Sequence, residues 1–165
     1  MMQPADDIDR IMAVMDAAFD PQFGEAWNRR QVEDALLLGN CHYLLIAEHG
    51  GSPQPGEPTA GFSLSRHGYE EEELLLFAVD PKYRRQGLGT KLLARFAASA
   101  QARGAGRLLL EMRQDNPAGQ LYRQFGFTQV GRRAGYYRTP TGARLDALTF
   151  SCDCPAADEK SLDEL

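Results

Sequence analysis

Residues 79–93, VDPKYRRQGLGTKLL, combine types and spacing that could hold an anionic ligand. The apolar run LLLFAV ends at Val79, and Asp80-Pro81 forces a turn because proline cannot continue a strand ladder. The chain then passes through RRQGLG into a stripe of helically spaced apolar residues. Gly87 and Gly89 let the main chain come close to a ligand, and the first turn of a helix presents amides without partners at the positive end of its dipole. Arg84, Arg85 and Lys91 add positive charge, so the pattern reads as a pyrophosphate cradle. It is not a Walker A loop, which needs GK[ST], and it lacks the GxGxxG of a dinucleotide fold. The bland alternative is a glycine-rich helix start that binds nothing; the strand before it, the helix after it and the charge around it favour the cradle.

That charge is concentrated. Residues 82–133 carry eleven Lys/Arg against two Asp/Glu, whereas residues 1–81 carry four against fifteen, in a chain of net charge −5. A basic middle in an acidic chain implies an anionic ligand bound by the middle, and the acidic remainder argues against direct nucleic-acid binding. Solvated helix faces are the alternative source of such charge. The length of 165 residues suits one domain, placed at 1–150, and the acidic, proline-containing stretch 151–165 is expected to be a disordered tail. No apolar run is long enough for a membrane span and the first residues do not read as a secretory signal, so a cytoplasmic protein is expected. The C-terminal LDEL has no entry signal to support an ER-retention reading. Three cysteines do not make a disulfide framework, and Cys152 and Cys154 lack a second pair for zinc. His42, His49 and His67 show no ligand spacing, so no metal is expected.

The elements that must position the cradle follow from periodicity. Ile8, Ile11, Met12, Met15 and Phe19 predict a first helix, capped by Asp6 or Asp7. Asn28 and Gln31 form a capping box for a second helix, with Trp27 stapled onto Val32 and Gly39-Asn40 ending it. Strands are expected around 43–47 and in AGFSLS, joined by the Gly/Pro-rich loop 49–59. LLLFAV and RLLLEM (107–112) flank a helix bearing Leu88, Leu92, Leu93, Phe96 and Ala100, a strand–helix–strand unit with a parallel pair. Asn116-Pro117 opens a last helix with Ala118, Leu121, Tyr122 and Phe125 inside, closed by Gly126; two strands around TPTG complete 128–150. The fold class is α/β (α+β): a mixed, mostly antiparallel six- to seven-stranded sheet with a central parallel pair and helices on both faces.

RRQGLG fits the R/Q-x-x-G-x-G/A pattern of the GNAT superfamily of N-acetyltransferases. Together with AVDPKYRRQGLG, LEMRQDN, LYRQFGF and GYYRTPTGARLDA, it resembles the branch that acetylates the N-terminal alanine of a small-subunit ribosomal protein. The resemblance is strong over 74–150 and weak before it. It implies acetyl-CoA as cosubstrate. Backbone groups of Phe77, Ala78 and Val79 would meet the pantetheine arm. The segment Arg84, Arg85, Gln86, Gly87, Leu88, Gly89 and Thr90 would hold the pyrophosphate, with Asn116 hydrogen-bonding the cofactor. It further implies Glu111 as general base and Tyr122 as general acid, with Trp27, Tyr136 and Tyr137 at the peptide and Asp146 in support. The acceptor would be a protein N-terminus, of a basic ribosomal protein drawn by the acidic first half, and the enzyme a monomer or weak dimer.

Amine attack on a thioester needs a proton acceptor for the amine and is helped by a donor for the leaving thiolate. Glu73 competes with Glu111 as base, since by period two it shares a strand face with Leu75, Phe77 and Val79 and matches the base of the histone-acetyltransferase branch. The run 70–73, EEEE, also reads as a solvated loop or a patch for a cationic substrate. Tyr122 could be core, Asn116 only a cap, and the aromatics only sheet packing. From Glu111 to Tyr122 the chain is one residue shorter than the family pattern, and the loop 49–59 is longer. Two rival functions remain at this level: acetylation of a small amine such as a polyamine, amino acid or drug, and acetyl-CoA binding without turnover.

Overall fold

A computed structural model describes residues 4–154. Two helices come first, α1 (Pro4–Ala18) and α2 (Arg29–Leu37), joined by a connection with a 3-10 turn at Pro21–Phe23. The capping box at Asn28 forms as expected: its side chain accepts from the Gln31 amide while the Gln31 side chain accepts from the Asn28 amide. Asp7 does not cap α1; it lies inside the helix, is buried, and accepts from the Tyr43 hydroxyl. Strands β1 (Cys41–Ile46), β2 (Gly61–Gly68) and β3 (Glu71–Val79) form an antiparallel run. Helix α3 (Leu88–Ala102), strand β4 (Arg107–Arg113), helix α4 (Gly119–Phe125) and the hairpin β5 (Thr128–Arg138) with β6 (Arg144–Asp153) follow.

The six strands lie in the order β1-β2-β3-β4-β6-β5, with β3 and β4 the parallel pair. On one face α1 and α2 bury Ile11, Val14, Met15 and Val32 against Leu45, Phe62, Leu64 and Leu76. On the other, the α3 residues Leu93 and Phe96 pack with Leu108, Leu110, Met112, Tyr122 and Phe150. The mixed sheet with helices on both faces is thus as expected. The strand β6 runs on to Asp153, opposite Arg107, so the break expected at residue 150 is not where pairing stops. The remainder of the expected tail, 155–165, lies outside the described residues.

Two irregularities shape the centre of the sheet. Leu64 pairs with Leu76 while Ser65 pairs with Leu74, so Leu75 is an extra residue, a β-bulge. The bulge turns the strand over: Glu72 and Leu74 face α3, and so do Phe77 and Val79, whereas Glu73 faces the α1 side with Arg66, Leu76 and Ala78. The period-two reading that put Glu73 on the face of Phe77 and Val79 fails for this reason. Beyond the bulge, β3 and β4 part. Their pairing covers only Glu71–Leu74 against Arg107–Leu110, while β4 stays paired with β6 through Arg113. The sheet therefore forks, and one edge of β3 from Leu75 to Val79 is left without a neighbouring strand.

The acidic run at the start of β3 is absorbed by internal pairs. Glu71 binds Arg107 and Glu73 binds Arg66. Glu72 is fully buried, takes the Arg103 guanidinium through both oxygens and accepts from Ser65 Oγ. Burial alone would raise its pKa; the Arg103 and Ser65 hydrogen bonds overcome this and hold it below the usual carboxylate value. The long loop is equally occupied: Arg10 donates to the Glu57 and Gln54 carbonyls, and Arg95 to Leu45 O and Ser52 Oγ.

Candidate active site

The fork holds a cavity of about 470 Å³. Its wall on one side is Phe77, Ala78 and Val79 of β3; its floor is the turn through Arg84, Arg85 and Gly87 into α3; α4 closes the far side with Leu121 and Tyr122. Neither the acidic run 70–73 nor any residue of the loop 49–59 lines it, so the patch read as suiting a cationic substrate is not part of the cavity.

The local backbone explains the floor. Asp80 accepts from the Lys82 amide at 3.1 Å and starts the 3-10 turn Pro81–Tyr83. Arg85 and Gly87 then take positive φ, +65° and +77°, and bend the chain so that Gly87 stands at the N-cap of α3 with no side-chain cap bond. Among the described residues, no group accepts from the amides of Arg85 through Thr90. The two glycines differ in purpose. Gly87 supplies the left-handed φ, with open space where its Cβ would be. A Cβ on Gly89 would lie 3.1 Å from Leu121 Cδ2, so its smallness serves the packing of α3 on α4 rather than approach to a ligand.

On the β3 wall, the Asp80 amide donates to Ala60 O across the sheet, so alternation turns the main-chain groups of Val79 and Phe77 toward the fork. Arg84 Nε already donates to the Val79 carbonyl at 3.1 Å. Asn116 lines the cavity, and its Oδ1 accepts from the Ala118 amide at 2.9 Å. It caps a turn ahead of α4, which begins only at Gly119.

Tyr122 is 6% exposed and its ring sits edge-on between Phe77 and Phe127, each 5.9 Å away. Its hydroxyl has no hydrogen-bond partner among the described residues. Burial, then the Glu25 charge, pushes this phenol well above its ordinary value. Glu111 lies elsewhere. Leu110 and Met112 point to the α4 face of β4, so Glu111 emerges on the opposite face from Tyr122, with Arg133 Nε 3.3 Å from its Oε2, and it does not line the cavity. Tyr137 lies near it: burial, then the Glu25 and Glu111 charges, raise its phenol to about 12. The Tyr136 ring meets Tyr137 at 5.1 Å and nearly at right angles, under Arg133. Asp146 accepts from the Gly135 amide and binds Arg132, bracing this hairpin. Trp27 is partly buried against the core cluster that α1 and α2 form with the sheet, and it does not line the cavity.

The cavity also holds a carboxylate that the sequence does not mark. Glu25, from the connection between α1 and α2, lines the opening and is bound by Arg113 from the end of β4. Arg113 also binds Asp115 and stacks on Phe23, 3.5 Å from the ring centroid. Burial raises the Glu25 pKa against the opposing pull of Arg113. The partners stand 88 positions apart, so no local spacing could have exposed them.

Residues 40–129 match the acetyltransferase (GNAT) domain family. The [ribosomal protein bS18]-alanine N-acetyltransferase of Haemophilus ducreyi is 40% identical over 91 residues, 54% of this chain and 63% of that protein. The N-alpha-acetyltransferase RimI of Mycobacterium tuberculosis is 42% identical over 136 residues, 81% of this chain and 77% of that one. The crystal structure of the ribosomal-protein-S18-alanine N-acetyltransferase from Escherichia coli superposes with a TM-score of 0.76 at 28% identity, covering 94% of this chain and 92% of that one. The forked sheet, the open amides at the start of α3 and these matches lead to one statement of kinship: the chain belongs to the GNAT acetyltransferase family.

Proposed function

We propose that this chain transfers the acetyl group of acetyl-CoA directly to the α-amino group of a protein N-terminus. The acceptor in this reading is alanine of a ribosomal protein, the substrate named for the Haemophilus and Escherichia proteins. One observation carries the reading: the fork between β3 and β4 joins in one cavity a strand edge, a row of amides and the Tyr122 phenol, the amides and the phenol without partners among the described residues.

These groups fit acetyl-CoA. The amides from Arg85 to Thr90 and the start of α3 suit a diphosphate, and Arg84 and Arg85 add charge. The Phe77 main chain and the Val79 amide suit the pantetheine arm, as an added strand would use them. The Val79 carbonyl is already taken by Arg84, so it contributes orientation rather than a bond. Asn116 adds polar contact beside α4. When bound, acetyl-CoA supplies a thioester carbon open to attack by a neutral amine. The Val79 amide is aimed to steady developing negative charge on the carbonyl oxygen. Tyr122 holds its proton across the physiological range and releases it to the departing sulfur. Glu111 stands off the cavity with Tyr137 near it and Tyr136 against that ring; in this reading Glu111 takes the amine's proton and the two tyrosines meet the acceptor peptide. Burial pushes the thiols of Cys41, Cys152 and Cys154 up, the opposite of an activated nucleophile, which favours direct transfer. A ribosomal acceptor places the reaction in the cytoplasm.

The test is a single-turnover assay with acetyl-CoA, an Ala-initiated ribosomal peptide and a panel of small amines, read by released thiol and peptide mass. Acetylated peptide is expected. Product with small amines alone, or coenzyme A binding by calorimetry with no product, would overturn the reading.

A further inference from the structure

Resting on that reading, the geometry points to Arg133 as a positioning residue for Glu111: its guanidinium holds the carboxylate while no acceptor is present, then yields it to the acceptor's ammonium group by moving onto the ring of Tyr136. Strand β6 lies between Glu111 on β4 and Arg133 on β5. Arg133 stands opposite Ala147, and Ala147 opposite Arg113, two positions along β4 from Glu111, so Arg133 and Glu111 share one face. The two outer strands are separated by two strand spacings, about 9–10 Å. A long cationic side chain crosses that distance over the small Ala147, and Arg133 Nε reaches 3.3 Å from Glu111 Oε2. Among the described residues, Glu111 pairs with no other cation.

The second resting place is built into the hairpin. Between Arg133 and Tyr137 the strand β5 carries three residues, 134–136, against Asp146 alone on β6. The excess is fixed in place: Gly135 takes φ +62° and its amide donates to Asp146 Oδ1 at 2.8 Å. This irregularity brings the exposed Tyr136 ring under Arg133, its centroid 5.1 Å from the guanidinium carbon. The guanidinium thus already stands within reach of a carboxylate and a ring face, and passes between them by side-chain rotation.

Charge gives the exchange its purpose. Glu25 and Asp115 share the single guanidinium of Arg113, and Tyr137 feels the charges of Glu25, Glu111 and Arg113 together. Within this group, three carboxylates meet two guanidiniums only because Arg133 is present. A primary ammonium carries the same charge as Arg133, so Glu111 trades one cation for another and is never left bare. The acetylated nitrogen is uncharged, so it cannot hold Glu111 against the returning guanidinium, and the exchange favours product release. No bond is made or broken in the exchange itself.

The test compares Arg133→Met, Arg133→Lys, Tyr136→Leu and the double variant Arg133→Met with Tyr136→Leu. Steady-state kinetics vary the amine at saturating acetyl-CoA, and calorimetry reads acetyl-CoA affinity. Arg133 is 61% exposed, so its replacement leaves the fold intact. Arg133→Met is expected to lower kcat about 10-fold, because Glu111 loses its orientation. It should also lower the acceptor KM about 2–5-fold, the worth of an exposed ion pair that no longer competes. Acetyl-CoA affinity should not move, and Arg133→Lys should restore kcat toward the wild-type value. Tyr136→Leu is expected to raise the acceptor KM, since the guanidinium then stays on Glu111, and that rise should shrink in the Arg133→Met background. The inference is overturned if Arg133→Met leaves both constants unchanged, if it raises KM, or if Arg133→Lys behaves as Arg133→Met does. An equal effect of Tyr136→Leu in both backgrounds overturns it too. The kinetics use whichever amine the wild type acetylates, so activity on small amines alone defeats the functional reading while still deciding Arg133. A wild type that acetylates no amine defeats both.

Discussion

Replacing Tyr122 by phenylalanine removes one oxygen and leaves the ring between Phe77 and Phe127. The lost hydroxyl has no partner among the described residues, so none of their donors or acceptors is orphaned and the folded state changes by less than about 1 kcal/mol. A proton donor at a leaving group is worth on the order of 10²–10³-fold, which is about 3–4 kcal/mol of barrier. Tyr122→Phe therefore separates two roles that the sequence leaves merged. Thermal unfolding should move by no more than a few degrees while kcat falls by about 10²-fold or more. Tyr122→Ala, which also deletes both ring contacts from a site only 6% exposed, should in addition lose about 3–5 kcal/mol of stability. The assay is single-turnover thiol release beside differential scanning calorimetry on the same preparations. Because the phenol is pushed far up, wild-type turnover should show no alkaline decline traceable to Tyr122 below about pH 10, its ordinary range. A Tyr122→Phe enzyme with wild-type kcat would return this residue to the core and remove it from the chemistry.

Other outcomes follow from the same contacts. Gly87→Ala forces a left-handed φ on a residue with a Cβ at a cost of about 1–2 kcal/mol, and should weaken acetyl-CoA binding in calorimetry more than it lowers the melting temperature. Gly89→Val should instead destabilise by about 1–3 kcal/mol through Leu121, read by denaturant unfolding. Arg103→Leu strands the buried Glu72 carboxylate and should cost about 3 kcal/mol or more at pH 7. Since the folded pKa of Glu72 is depressed, its contribution is complete above the unfolded carboxylate range and is lost as pH falls through the lower folded value. Urea midpoints should therefore drop less steeply on acidification in Glu72→Gln than in the wild type.

Local signals in the sequence were enough for the helices and for the glycine turn into α3. The Asn28–Gln31 box, the stripe from Leu88 to Ala100 and the glycine closing α4 each act within a turn or two of chain, where spacing dictates structure. What spacing could not show are contacts made across the sheet. The bulge at Leu75 depends on the register of β2, and it reversed the face expected for Glu73. The occupation of Glu71, Glu72 and Glu73 depends on Arg107, Arg103 and Arg66, which turned an apparent acidic patch into internal pairs. Glu25 needed Arg113. Likewise Glu111 and Tyr122 lie eleven positions apart in sequence but on opposite sides of a strand, a separation that only the packing of α4 defines.

The supernumerary residue at Leu75 has a wider meaning for how such a sheet tolerates change. A ladder with perfect register would zip shut to its end and leave no seam for a guest molecule. Excising that one position would leave Leu76, Phe77 and Ala78 on the faces they hold now, since Leu76 already pairs with Leu64 and Leu74 with Ser65, but it would remove the irregularity at which β3 leaves β4. Point changes nearby alter how well a guest is held; a single deletion there would abolish the berth itself.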